Sequence, residues 1–201
     1  MTSVAYLDDV LSKQRIELID GKIVMISPRP RYEHITIVSN IISEFNIYLK
    51  GKSCQAFADG FDLYLDDKNH FIPDCMIVCN EDIIRFDGIH GAPDLVVEVL
   101  SASTAKNDRS KKKDAYEKAG VKEYWIVEPF YKTVEIYLNT NSGFVLDKKY
   151  QYYSDIEIEE NSSLIDDDKY KMNIDTEIKV SVCDNLIVKL KDIFDRVDRF
   201  N

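Results

Sequence analysis

The stretch from Asp94 to Glu128 constrains this chain more than any other. Asp94-Leu-Val-Val-Glu-Val-Leu100 is apolar on both alternating faces, the pattern of a buried strand. Thr104 to Ala119 has helical spacing and is closed by Gly120; Glu123-Tyr-Trp-Ile-Val-Glu128 is a strand again. Strand, helix and strand in succession form a β-α-β unit, whose strands run parallel with a right-handed crossover. Such a unit needs cover on both faces, which sets an α/β class: a mixed sheet flanked by helices.

The other segments fit around it. Arg15 to Met25 reads as a hairpin turning at Asp20-Gly21, and Ser27-Pro-Arg-Pro-Arg31 as a loop. Glu33 to Leu49 carries apolar residues at 38, 41, 42, 45, 48 and 49, an amphipathic helix ended by Gly51. Phe57 to Leu65 alternates like one strand, Asp66 to Asn69 turns, and Ile72 to Cys79 is a second strand. Val134 to Leu138 and Phe144 to Tyr153 form a hairpin around Asn141-Ser142-Gly143. Residues 154–175 read as an acidic insertion, and Asn185 to Phe194 as a closing strand-then-helix or short helix within the segment 185–201. At 201 residues these fit one domain with decorations.

Net charge −10 argues against a general nucleic-acid binder, because duplex affinity rests on neutralising phosphates. The charge is uneven, however: residues 101–125 hold seven bases and four acids, a local basic strip. No apolar run approaches the roughly 20 residues of a membrane span, and the first ten residues lack a basic start and an apolar signal core. Cysteines 54, 75, 79 and 183 make no CxxC pair, so reduced thiols in a cytoplasm are expected.

Glu98 is the residue that resists a bland explanation. It interrupts a buried strand, where an ionised carboxylate is costly unless paired with a buried Lys or Arg or bound to a cation. Asp94 lies on the same face but four residues away, about 13 Å at strand rise. Two ligands of one Mg²⁺ must each come within about 2.1 Å of it, so Asp94 is expected to be structural, capping the turn into its strand. Asp74, at the mouth of a neighbouring strand, is the better co-ligand, although Pro73-Asp74 and Pro93-Asp94 alike could be plain strand entries. In the helix that follows, Lys112 shares a face with Asp108, Ala115, Tyr116 and Ala119, while Lys111 and Lys113 point to solvent. Lys112 could snorkel to Asp108, or act on a metal-bound water or phosphate.

Arg15-Ile-Glu-Leu-Ile-Asp-Gly21, Pro73-Asp74, Pro93-Asp-Leu-Val-Val-Glu-Val-Leu-Ser101, Asp108-Arg-Ser-Lys-Lys-Lys-Asp-Ala-Tyr116 and Gly120-Val-Lys-Glu-Tyr-Trp-Ile-Val-Glu-Pro129 resemble the Uma-two family of restriction-endonuclease-like proteins, within the PD-(D/E)xK nuclease superfamily. The resemblance runs over nearly the whole chain, its most specific part being Asp94 to Pro129. It implies a restriction-endonuclease-like PD-(D/E)xK core, a Mg²⁺ site at Asp74 and Glu98, and a lysine moved from the strand, where Leu100 stands, to Lys112. The Val99 carbonyl is a candidate third ligand, and Mn²⁺ is the alternative ion. Ala102 replaces a frequent proline, and the insertion at 154–175 has no counterpart in the family. Glu17 matches an early family glutamate that could add a carboxylate or lie on the surface. His34, starting the apolar stripe of the first helix, suits either a phosphate or a cap. Asp108 and Tyr116 are further accessory candidates.

The expected function is a metal-dependent endonuclease acting on nucleic acid, DNA favoured over RNA, in the cytoplasm, with no membrane partner and a homodimer left open. The competing reading is a catalytically idle nuclease-fold module for binding or assembly, which the acidic surface favours. A cysteine hydrolase on Cys54 or Cys75 with a distant His has no local motif behind it, and His70 and His90 make no zinc pattern. Trp125 is expected in the core.

Overall fold

The computed structural model describes residues 16–25, 30–58, 60–154, 157, 159 and 176–198; most of the expected insertion at 154–175 and most of the Ser27–Arg31 loop lie outside them. The β-α-β unit forms as expected. Strand β9 (Leu95–Val99) pairs in parallel with β10 (Glu123–Glu128), Leu95 beside Glu123 and Val99 beside Val127. β10 continues antiparallel into β11 (Thr133–Thr140), which turns through Asn141-Ser142 into β12 (Gly143–Gln151). On its other side β9 pairs antiparallel with β6 (Cys75–Val78), and β6 with β3 (Gln55–Ala58). The central sheet therefore runs β12-β11-β10-β9-β6-β3.

A second sheet stands where one was expected. β1 (Ile16–Ile19) and β2 (Lys22–Met25) turn at Asp20 and Gly21, both with positive φ (53° and 74°), the left-handed pair a type I′ hairpin needs. They join β4 (Leu63–Asp66), β5 (Asn69–Phe71), β7 (Ile84–Arg85) and β8 (Gly88–His90) in the order β2-β1-β5-β4-β8-β7. The alternating run from Phe57 to Leu65 is thus not one strand: β3 belongs to the central sheet and β4 to the second. Strands of two to four residues give too short a pattern to separate from loop.

Each face of the central sheet has its own cover. Ile19, Leu63, Phe71 and Ile89 of the second sheet pack on Met76, Val78, Val96 and Ile126. On the opposite face, α1 (Tyr32–Leu49) lays Ile37, Val38, Ile41 and Phe45 against Ile77, Val97 and Trp125. Trp125 is fully buried, as expected. The closing segment forms a strand then a helix, β14 (Ile187–Lys189) and α4 (Leu190–Ile193), with β14 paired to β13 (Glu177–Lys179), and packs beside α1.

The helix expected over Thr104 to Ala119 is broken into α2 (Ala105–Asp108) and α3 (Lys111–Ala119). Ser110 leaves helical conformation at φ −132°, ψ −96°, and its hydroxyl donates to the Lys106 carbonyl at 2.6 Å. A serine that bonds its own backbone competes with the helix ladder. Gly120 ends α3 at φ 93°, in the left-handed cap position.

The cysteines differ from expectation. Cys54 and Cys79 form a disulfide, while Cys75 and Cys183 are free and buried. The cause is register: Gln55 faces Val78, so the residues one step out, Cys54 and Cys79, face each other. Closing a 25-residue separation stabilises by about 3 kcal/mol in the chain-entropy account. Urea unfolding with and without dithiothreitol should therefore differ by about that amount; identical curves would mean the pair is not joined. Cys54 is no free nucleophile, and Cys75 is fully buried, which removes the cysteine-hydrolase reading. Among the described residues no helix is long and apolar enough to cross a membrane.

Candidate active site

The site forms at the end of the central sheet where β9 outruns β6. Cys75 faces Val97, so continuing that register by one residue brings Asp74 opposite Glu98. Pro73 has no N–H to continue the pairing. Instead, Val99 N–H donates to Asp74 Oδ2 at 2.7 Å. By peptide geometry that oxygen lies within about 5 Å of the Glu98 Cα. The other oxygen, Oδ1, is 3.0 Å from His34 Nε2, in the first turn of α1. Both Asp74 oxygens are thus oriented by partners from two different elements.

Glu98 points into the layer under α3. Lys112 Nζ lies 2.6 Å from Glu98 Oε1, 2.9 Å from Glu17 Oε1 and 3.6 Å from Asp108 Oδ1. The Tyr116 hydroxyl also donates to Glu98 Oε1 at 2.6 Å, and Glu17 Oε1 accepts from Ile72 N–H at 3.0 Å. Glu98, Lys112, Glu17, Asp108 and Tyr116 therefore come together, with Asp74 and His34 at the strand end. The choice of Lys112 among the three lysines agrees with its burial; Lys111 is exposed, but Lys113 is half-buried with Nζ 3.6 Å over the Tyr137 ring. Glu17, which could equally have been surface, is buried, because the second sheet folds over it.

The electrostatics are unbalanced. Glu17, Asp74, Glu98 and Asp108 are each 9% exposed or less, and three of them, Glu17, Glu98 and Asp108, lie around one equally buried ammonium. Burial pushes the Glu98 carboxyl well above the usual range; Lys112 opposes this, while Asp108, Asp74 and Glu17 add to it. Asp108 is raised for the same first reason; Lys112, 3.6 Å from its Oδ1, and Thr104 offset this only in part. Burial would pull Lys112 down, but Glu98, Glu17 and Asp108 outweigh it and hold the ammonium well above the ordinary lysine value. Lys112 is thus the fixed charge, and Glu98 and Asp108 are the groups whose protonated forms burial favours.

Excess buried oxygen donors suit a hard divalent ion. Among the described residues, no three His, Cys, Asp or Glu side chains form a ready cage. Two carboxylates and a carbonyl leave the other positions to water and substrate, the usual way Mg²⁺ is held.

Asp94 is held away from this cluster. Its Oδ2 accepts from Cys79 N–H at 2.7 Å and its Oδ1 from Lys122 Nζ at 2.6 Å, so it ties β6 to the start of β10. Asp94→Ala should cost about 1.5–3 kcal/mol, the worth of hydrogen bonds to a charged group, and leave cleavage per folded molecule unchanged. Thermal melts beside a cleavage assay check both parts. Residue-type reasoning missed Glu135, a buried acid held by Arg109 and Lys149 at 2.7 and 3.3 Å; its place between Val134 and Ile136 was the available signal.

Comparison with known proteins adds to this geometry. The model of the Uma2 (Uma-two) family, described as "Putative restriction endonuclease", matches residues 5–166. A crystal structure of a "putative nuclease belonging to DUF820" from Anabaena variabilis is similar at 22% identity and TM-score 0.68, over 95% of this chain and 98% of that one. The likeness extends the restriction-endonuclease-like fold to the whole sheet arrangement. No curated protein matches the chain.

Proposed function

Since the chain belongs to the Uma2 family of restriction-endonuclease-like proteins, we propose that it is a metal-dependent endonuclease that hydrolyses phosphodiester bonds, with DNA as substrate. One observation carries this reading: three buried carboxyl groups, Glu17, Glu98 and Asp108, surround a single ammonium with the buried Asp74 beside them at the sheet end, an excess of acids that structure alone does not need.

Asp74, Glu98 and the Val99 carbonyl would hold Mg²⁺ or Mn²⁺. When bound, the ion would polarise the scissile phosphate and acidify a water. His34 and Val99 N–H fix the Asp74 carboxylate in place. Tyr116 holds Glu98 by the same oxygen that Lys112 contacts. Lys112 has a second acid partner in Glu17, so it can release Glu98 without losing its counter-charge, and orient the attacking water or a phosphate oxygen. The reading places the enzyme in the cytoplasm, where Cys54 and Cys79 would meet a reducing pool. A two-fold homodimer would carry one such centre in each subunit.

The second reading, an idle binding or assembly module, draws on the direct Lys112–Glu98 contact, which occupies a metal ligand with an internal cation. A cleavage assay on DNA and RNA substrates with Mg²⁺ or Mn²⁺, beside Glu98→Ala, separates the two. Metal-dependent cutting that disappears in the variant supports the enzyme; no cutting by the wild type on any substrate supports the idle module.

A further inference from the structure

Glu98 of β9, Ile126 of β10 and Glu135 of β11 share one rung of the central sheet. Directly paired residues point to the same face, and two strand spacings make roughly 10 Å. On that face, Glu135 is shared by Arg109 Nη1 at 2.7 Å and Lys149 Nζ at 3.3 Å, whose side chains are 40% and 54% exposed. Two cations on one carboxylate leave a positive charge facing solvent. The Tyr137 hydroxyl donates to the same carboxylate at 3.0 Å, and Lys113 lies over the Tyr137 ring. On a chain of net charge −10, a cationic cluster beside the acidic centre is a local exception.

Two residues past that rung, β11 meets the turn Pro129–Lys132, at the same sheet end as Glu98 and Val99. The turn carries Phe130 and Tyr131, 82% and 66% exposed, with ring centroids 4.9 Å apart and planes at 87°. Paired edge to face, the two rings present differently oriented flat surfaces to solvent. Exposed rings beside cations form the platform on which bases stack while phosphates are held. Base faces inside a duplex are already covered by their neighbours, so such rings engage bases that are unstacked.

We propose that this edge is a binding track for an unpaired nucleic-acid strand, with Arg109, Lys113 and Lys149 on phosphates next to the scissile one and Phe130 and Tyr131 stacking on bases. An unstacked strand is longer per nucleotide than the roughly 3.4 Å rise of a duplex strand, so a spacing of roughly 10 Å spans fewer than three nucleotides. The inference rests on the reading of the Asp74–Glu98 centre as a phosphodiesterase and narrows its substrate to single-stranded, flapped or otherwise unstacked segments.

The test is fluorescence anisotropy in EDTA, where cleavage is silent, with a labelled single-stranded DNA, its duplex and the matching single-stranded RNA. Wild-type protein should bind a single strand at least about tenfold more tightly than duplex. The double variant Phe130→Ser, Tyr131→Ser should lose about five- to hundredfold on single strands, the range for one stacked base, with an unchanged melting temperature. Arg109→Gln and Lys149→Gln should each reduce the salt slope by about one. Duplex preference, or single-strand affinity indifferent to the rings, overturns the proposal. Ring-dependent single-strand binding without any cutting in Mg²⁺ upholds the track and counts against the phosphodiesterase reading alone.

Discussion

Replacing Lys112 with Met should lower cleavage by about two to four orders of magnitude, the range for a positioned proton-transfer group, and cost the fold about 3–5 kcal/mol. Were Lys112 without partners, exchanging its inward charge for an apolar stem of similar length would leave the fold as stable or slightly more so. The structure reverses that sign. Lys112 faces Glu98, Glu17 and Asp108, so its removal leaves three buried acids without their cation. Breaking a buried pair from one side is costly even where replacing the whole pair is not. Lys111→Met, at an exposed position, should change stability by about 0.5 kcal/mol or less and only weaken nucleic-acid binding. Lys113→Met should behave similarly for cleavage, with a small loss from its contact with Tyr137. Side-by-side rates and urea midpoints decide. Equal losses of cleavage in all three would mean a diffuse basic patch, and no loss in Lys112→Met would remove this lysine from the mechanism.

Glu98→Gln should abolish metal-dependent cleavage and, in metal-free buffer above the ordinary glutamate range, make the fold more stable. Glu98 and Asp108 are raised in the folded chain, chiefly by burial. Between their ordinary and raised values the folded chain holds more protons than the unfolded one, so stability falls as pH climbs through that window. Glutamine cannot ionise and still accepts from Tyr116 and Lys112. It should remove one proton from the linkage, up to about 1.4 kcal/mol per pH unit of slope. The raised Lys112 acts in the same direction at higher pH: its stabilisation is present below the ordinary lysine value and lost only as alkaline pH passes the raised one. Unfolding free energies across neutral to mildly alkaline pH test this. A variant less stable than wild type throughout would mean the ionised Glu98–Lys112 pair holds the fold.

The parts of this site legible in the sequence share a cause. Glu98 stands out because a long apolar strand surrounds it, and Lys112 because helical spacing leaves it alone with Asp108 and Tyr116 on a small, apolar face. Those arguments need only local period, and the break at Ser110 shifted the helix without parting Lys112 from Asp108. Glu17 was ambiguous because its burial depends on a second sheet built from strands of two to four residues, below the length at which alternation identifies a strand. His34 was placed on the right helix face, but its partner Asp74 is 40 residues away and reachable only through the fold. The Cys54–Cys79 pair depends on strand register, which no spacing rule supplies. Arg109 and Lys149 meet only at Glu135, through a helix end and a neighbouring strand far apart in the chain, so no local pattern pairs them.

The central claim is that Asp74 and Glu98 form a metal centre, and titration calorimetry with Mn²⁺ tests it most directly. Wild-type protein should bind the ion, with affinity lost in both Asp74→Asn and Glu98→Gln and kept in Asp94→Asn. Bound metal should also raise the melting temperature in wild type but not in the first two variants. No Mn²⁺ binding by folded wild type, or binding unchanged by both substitutions, would contradict the account and leave Lys112 as the permanent counter-ion of a structural core.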